Sequence, residues 1–225
     1  MHIIILCFAA ILAILNRKGD VMKVLGICGS PRQEGTDFAV NYALDILKEK
    51  GCEVKYYHAR GKKINFCIHC DYCVRKKEGC VHKDDLLQFY EDLIWADGVI
   101  MGTPCYQGNL SGQLKTMMDR CRAILAKDPQ ILRGKVGMGL AVGGDRSGGQ
   151  EPALRSIHDF YIINEMIPVG GGSWGANLGA CLWSQDKGKD GINEDTEGLR
   201  TLKKTVKRFY DVMSKLKEDP SKKVI

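Results

Sequence analysis

No low-complexity tract and no internal repeat occur in the 225 residues, which excludes a disordered chain and a solenoid. No apolar run has the length of a membrane span: residues 3–15 would make a helix of about 20 Å, against a hydrocarbon core of about 30 Å. That run also lacks the basic flank and small-residue cleavage site of a secretory signal. Met22 stands directly before the first strand pattern, so the folded unit is expected to begin there, with residues 1–21 an extension outside it and no membrane association. The basic residues of the C-terminal third, among them Lys203, Lys204, Lys207, Arg208, Lys215 and Lys217, carry most of the net charge of +6. They lack interleaved aromatics and any nucleic-acid motif, so they read as the solvated face of a helix and not as a nucleic-acid surface.

What is present is one folded unit, residues 22–217, with a short tail, 218–225. At 44% apolar residues it can bury a full core. Short apolar runs at 23–28, 53–57, 98–103, 135–142 and 166–169 read as strands. Helical patterns lie between them: one ended by Gly51, one capped by Asp84 or Asp85 and running to Trp95, one capped by Ser111 and running to Leu125, one over 152–164, and a closing amphipathic helix over 196–217. Residues 170–194 read as a long loop. Strands alternating with helices predict a doubly wound α/β fold, a five-stranded parallel sheet in the flavodoxin-like order 2-1-3-4-5. Residues 59–83 break the rhythm and mark a cysteine-rich insertion after strand 2.

In such a sheet, ligands bind outside the carboxyl ends of the strands, and three loops of unusual composition follow strands 1, 3 and 4. The first, Gly29-Ser30-Pro31-Arg32-Gln33-Glu34-Gly35-Thr36, offers amides at a helix start, the hydroxyls of Ser30 and Thr36 and the charge of Arg32, which together suit a single phosphate group. It is neither a Walker loop nor the dinucleotide pattern. The second contributes Pro104, Cys105, Tyr106, Gln107, Gly108 and Asn109: a rigid turn, an aromatic and free amides, the combination a planar ring with polar edges requires. The third contributes Gly143, Gly144, Asp145 and Gly148, where glycine permits close backbone approach. Placed together, the three loops point to FMN. No acid/base catalytic group is singled out.

Ten cysteines in a chain of this size are many. Cys28, Cys52, Cys105, Cys121 and Cys181 are scattered where a thiol acts as a small hydrophobe, but Cys67, Cys70, Cys73 and Cys80 fall within fourteen residues. This pattern fits a reducing cytoplasm and a metal site rather than disulfides. Two overlapping C-x2-C pairs suit three iron corners of one [4Fe-4S] cubane, and Cys80 supplies the fourth. A structural zinc more often uses two separated knuckles; zinc and a reversible disulfide stay open as alternatives. His69 and His82 flank the cysteines and read as surface residues. Arg60, Lys62, Lys63, Arg75, Lys76 and Lys77 surround the run and would make a patch suited to an acidic partner.

The segments GICGSPRQEGT, GTPCYQGNLSGQLKTMMDR and VGGDRSGGQE resemble the signature segments of NADPH-dependent FMN reductase-like flavoproteins. Where those proteins usually read Gly-Asn-Thr, this chain has Gly35-Thr36-Asp37, so Asp37 is left out of the phosphate set. Joined to the compact cysteine motif, the whole resembles the iron-sulfur flavoproteins of anaerobic archaea and some bacteria. That resemblance implies a homo-oligomer, a dimer or tetramer, with one [4Fe-4S] cluster and one FMN per subunit, electron transfer between them, and ferredoxin as donor. The competing expectation is an NAD(P)H-dependent FMN or quinone reductase with structural zinc at the four cysteines.

Overall fold

In the computed structural model, which describes residues 21–218, six strands make one parallel sheet. They are β1 (Lys23–Cys28), β2 (Glu53–His58), β3 (Gly98–Pro104), β4 (Val136–Gly143), β5 (Ile167–Val169) and β6 (Ala180–Trp183). The order is β2-β1-β3-β4-β5, with β6 also paired to β4. Residues 1–20 of the expected extension and 219–225 of the tail lie outside the described residues; Val21 is exposed.

Strands β3 and β4 are buried along their whole length, as expected of parallel strands covered on both faces. Alternate residues serve opposite faces. Val24, Ile100, Met138 and Leu140 pack under α1 (Gly35–Glu49) and the closing helix α8 (Thr196–Glu218), against Val40, Leu44, Val206 and Phe209. Leu25, Ile27, Val99 and Met101 pack on the other face with Phe89 of α3 (Leu86–Trp95), Leu114 and Met117 of α4 (Gly112–Arg120), and Ile157 and Tyr161 of α6 (Gln150–Ile163). The methionines of α4 are core, Met117 wholly buried and Met118 nearly so.

Three local expectations are corrected. The stretch 170–194 is not a plain loop: it contains β6 and the short α7 (Lys189–Glu194). β5 is only three residues long and pairs with Val136–Met138 alone, so β6 completes the edge of β4 along Leu140–Gly143. The fifth sheet position is thus filled in two pieces. The helix expected from Ser111 to Leu125 ends at Arg120 and resumes as α5 (Arg122–Leu125). At the joint, the Arg120 carbonyl accepts the Tyr90 hydroxyl (3.0 Å), and the Cys121 amide closes a tight turn on Met118 O (3.1 Å). The insertion after β2 carries its own one-turn helix, α2 (Tyr72–Lys76).

Candidate functional site

The three glycine-bearing loops leave the carboxyl ends of β1, β3 and β4 and are tied together there. The Gly29 amide donates to Gly102 O (2.8 Å), and the Ser111 hydroxyl donates to Gly29 O (2.7 Å) while capping α4 through Leu114 N (3.2 Å). The first loop and the second are therefore one unit. Ser30 and Thr36 are buried, and Ser30 Oγ accepts the Arg32 amide (3.1 Å), folding the loop over the start of α1; Arg32 is exposed. Asp37, the departure from the family pattern, is occupied: its Oδ1 accepts the Tyr56 hydroxyl at 2.5 Å, and Asn41 lies 3.5 Å from Oδ2.

Residues 106–109 form a tight turn, with Tyr106 N to Asn109 O at 2.8 Å and Asn109 N to Tyr106 O at 3.1 Å. Its central residues Gln107 and Gly108 have φ of 50° and 76°, and Tyr106 stands partly exposed beside them. Pro104 ends β3 opposite Val142, and the Cys105 amide donates to Val142 O (2.8 Å). The third loop meets this turn backbone to backbone. Gly149, at φ 96°, faces Gly108, and a Cβ there would lie 2.6 Å from Gly108 Cα. No rotamer change relieves a clash with backbone, and L side chains rarely adopt that φ. Gly149→Ala is therefore expected to part the second and third loops and weaken FMN binding by at least about tenfold, since a displaced contact at this scale is worth 1–3 kcal/mol. Titration of apo-protein with FMN, read by flavin fluorescence, checks this; unchanged affinity would refute it.

Residues with no motif of their own hold the third loop. Gln150, buried at the start of α6, accepts the Gly148 amide (2.8 Å) and donates to Asp145 O (2.8 Å). Arg146 pairs with the buried Asp195 (2.7 Å) and lies over the Trp183 ring (4.8 Å). Asp195 also accepts the amides of Trp183 (2.7 Å) and Gly198 (3.0 Å), so it joins β6 to the first turn of α8. A Cβ at Gly143 would meet the Asp145 carbonyl and the Gln150 side chain, and one at Gly144 would press on the Asp186 carboxylate. Sequence patterning could not single out Ser111, Arg146 or Asp195 as loop supports, because each acts through a partner far along the chain; Gln150 acts locally, on residues 145 and 148, but carries no motif that marks it.

In the insertion, Cys67, Cys70, Cys73 and Cys80 are all free thiols, and all four line one pocket with His69, Asp71, His82 and Arg122. Arg122 pairs with Asp71 across its rim (2.7 Å). His82 is not a plain surface residue: its Nε2 is buried and has no hydrogen-bond partner. Among the described residues, no three Cys, His, Asp or Glu side chains converge as ligands of a single ion. The remaining described cysteines are chemically quiet. Burial pushes Cys28 and Cys181 up to about 11 and Cys105 up to about 12, so at neutral pH they are un-ionised thiols.

Both ends of the insertion are fastened to one buried arginine. Arg120, almost wholly shielded, donates Nη1 to Asn65 O (2.7 Å) and to Asp84 Oδ2 (2.9 Å), and Nη2 to Asp84 Oδ1 (3.1 Å). Asp84 Oδ2 also accepts the Asn65 amide (3.0 Å). Arg120 ends the helix that the second loop begins, so α4 spans from one candidate site to the other. The expected basic patch is divided: Arg60 turns to Gln33 of the first loop (2.8 Å) and Lys62 lies over Tyr57, whereas Arg75 and Lys76 stay exposed on α2.

A family model described as NADPH-dependent FMN reductase matches residues 22–180. The chain is 72% identical over 192 residues to an iron-sulfur flavoprotein of Methanocaldococcus jannaschii, covering 85% of this chain and 97% of that one. It is 53% identical over 193 residues to an iron-sulfur flavoprotein of Archaeoglobus fulgidus, covering 86% and 98%. An iron-sulfur flavoprotein of Methanosarcina thermophila is 36% identical over 202 residues, covering 89% and 100%. Among solved structures, RosB with a bound flavin-phosphate intermediate superposes with a TM-score of 0.68 at 15% identity, over 89% of this chain and 82% of that one. A WrbA-like flavodoxin from Agrobacterium tumefaciens gives 0.60, also at 15%, over 87% and 99%. At such identity these two speak for the flavodoxin-like fold alone.

Proposed function

The chain belongs to the iron-sulfur flavoproteins within the NADPH-dependent FMN reductase family, and from that premise we propose that it is a flavoprotein oxidoreductase holding FMN at the three loops and a [4Fe-4S] cluster at the four cysteines. The observation that carries the reading is the pocket shared by Cys67, Cys70, Cys73 and Cys80, in a chain whose other loops are joined at the carboxyl edge of the sheet. Four thiolates around one zinc, each about 2.3 Å from the ion, would crowd within about 4 Å of one another. A cubane instead spreads its four thiolates over four iron corners, which two overlapping C-x2-C pairs and a fourth cysteine suit.

The bound groups supply the electron chemistry, the cluster single electrons and FMN one or two. The chain supplies placement. The buried hydroxyls of Ser30 and Thr36 and the charge of Arg32 would receive the FMN phosphate. The turn amides of residues 105–109 and the backbone of Gly143, Gly144, Asp145 and Gly148 would line the ring, with Tyr106 and Pro104 packing against it. Asp37 is held by Tyr56, which keeps its carboxylate engaged beside the phosphate loop. In this reading the folded unit is 22–217 with 59–83 as the cluster insertion, and the free thiols suit a reducing cytoplasm. Among the described residues no helix is long and apolar enough to cross a membrane. Ferredoxin as electron donor and a dimeric or tetrameric assembly complete the proposal. Arg75, Lys76 and Lys77, exposed beside the pocket, offer the charge an acidic donor protein would meet.

Anaerobic purification followed by metal analysis and visible spectra before and after dithionite tests it. About four irons with matching sulfide, and bleaching near 400 nm beside the flavin bands, are expected. One zinc with a flavin-only spectrum would replace it by the reductase with a structural metal.

A further inference from the structure

The pocket of the four cysteines contains one polar group that nothing in the fold accounts for. His82 follows Cys80 by two residues and lines the pocket with all four thiols, and its Nε2 is buried without a hydrogen-bond partner. A buried ring nitrogen left unpaired costs stability, and such orphans persist in folded chains where an absent group completes them. Of the other polar side chains lining the pocket, Asp71 and Arg122 pair with each other and His69 is exposed to solvent. Direct metal ligation by His82 is not needed, since four thiols already provide a full cubane ligand set.

We propose that His82 is a positioning residue for the cluster, donating Nε2–H to one of its sulfur atoms and raising its reduction potential. The inference rests on the cluster reading above. A hydrogen bond to sulfur stabilises the more negatively charged reduced cluster more than the oxidised one, so donors raise the potential and their removal lowers it. A surface histidine would not bury its Nε2, and a ligand role is made superfluous by the four thiols that share the pocket.

The test is an EPR-monitored redox titration of three holo-proteins: wild type, His82→Phe and His82→Gln. His82→Phe, which keeps a planar ring and loses the donor, is expected to retain iron, sulfide and FMN. At a fixed poise its reduced-to-oxidised cluster ratio is expected to fall about tenfold, equivalent to about 59 mV for a one-electron couple. His82→Gln, which restores an N–H, is expected to recover part of that shift, which a purely structural role would not do. An unchanged potential in His82→Phe overturns the proposal, and so does loss of iron from both variants, which would make His82 a ligand. Should His82→Phe fail to fold, pulsed EPR of reduced wild type labelled with 15N-histidine decides. A weak coupling of hydrogen-bond size supports the proposal; a strong one from direct ligation, or none, overturns it. Wild-type protein without iron would sink the cluster reading itself, an outcome seen before any variant is compared.

Discussion

Cys70→Ser is expected to abolish the iron-sulfur centre while leaving FMN bound. Iron should drop from about four per chain to a residue of adventitious metal, with the broad absorbance near 400 nm lost, and FMN affinity should stay within about twofold. The separation follows from geometry. Cys70 lies in the pocket formed by residues 67–82, and it is only partly buried. The loops proposed to hold FMN leave β1, β3 and β4 and are bound to one another through Ser111, Gly108 and Gly149; the insertion reaches the first of them at Arg60, which donates to Gln33 (2.8 Å), a contact that Cys70→Ser leaves in place. A serine oxygen is a harder and far less acidic donor than a thiolate and does not replace it at iron. Iron and sulfide analysis beside flavin extraction makes the comparison. Concurrent loss of FMN would mean that the cysteine run itself, and not only the Arg60–Gln33 contact, helps to hold those loops.

The second large effect concerns the fastening of the insertion. Asp84→Asn is expected to destabilise the protein by about 3–5 kcal/mol, because it leaves the Arg120 guanidinium buried without its counter-charge. Side-chain exposure is 1% for Arg120 and 5% for Asp84, so water cannot substitute. In a fold of ordinary stability, about 5–15 kcal/mol, that is a substantial share. Replacing both charges by apolar residues, Asp84→Leu with Arg120→Met, should restore much of the loss, since the desolvation cost of both ions disappears together.

The pH dependence carries a sign that checks the cause. Burial pushes the Asp84 carboxyl up, but the Arg120 hydrogen bonds and the Asn65 and Leu86 amides more than offset it and hold the group below the usual carboxylate range. A carboxylate depressed on folding contributes stability that is complete above its unfolded value, near 4, and is lost as pH falls through the folded one. The gap between wild type and Asp84→Asn should therefore be full at pH 7 and narrow below about pH 4. Urea unfolding at several pH values measures it; a gap independent of pH would assign the loss to packing instead. The variant should also load iron poorly, because Asn65 and Asp84 flank the cysteine run and both end on Arg120.

Other features of the fold were unequally legible in the residues. The buried strands are near-continuous apolar runs, and Ser111 and Gly51 punctuate helices much as local chemistry requires; Asp85 stands at the expected cap position of α3 without a capping bond, its carboxylate taking the Lys63 amide (2.7 Å) while Asp84 accepts the Leu86 amide (3.3 Å). β6 was not legible, because Ala180–Trp183 sits in a glycine-rich stretch and becomes a strand only by completing the edge that the short β5 leaves open. The helix break at Cys121 was hidden for the same reason: it depends on Tyr90, thirty residues away, holding the Arg120 carbonyl.

The sequence by itself determined the alternation of strands and helices, the three glycine-bearing turns and the crowding of four cysteines into fourteen residues, because each is written in local spacing; the sheet order followed only as the usual one for that alternation and was fixed by strand pairing. Tertiary structure alone decided what those parts meet. It joined the turns at the sheet's carboxyl edge, gathered the four thiols around one pocket, turned Asp37 to Tyr56, anchored both ends of the insertion on a buried Arg120 and left His82 Nε2 buried and unpaired in a residue lining that pocket. The physical reason is range: caps, turns and periodicities act over a few residues, whereas a buried ion pair, a backbone contact between two glycines or an unpaired nitrogen exists only once distant segments have packed and water has been excluded.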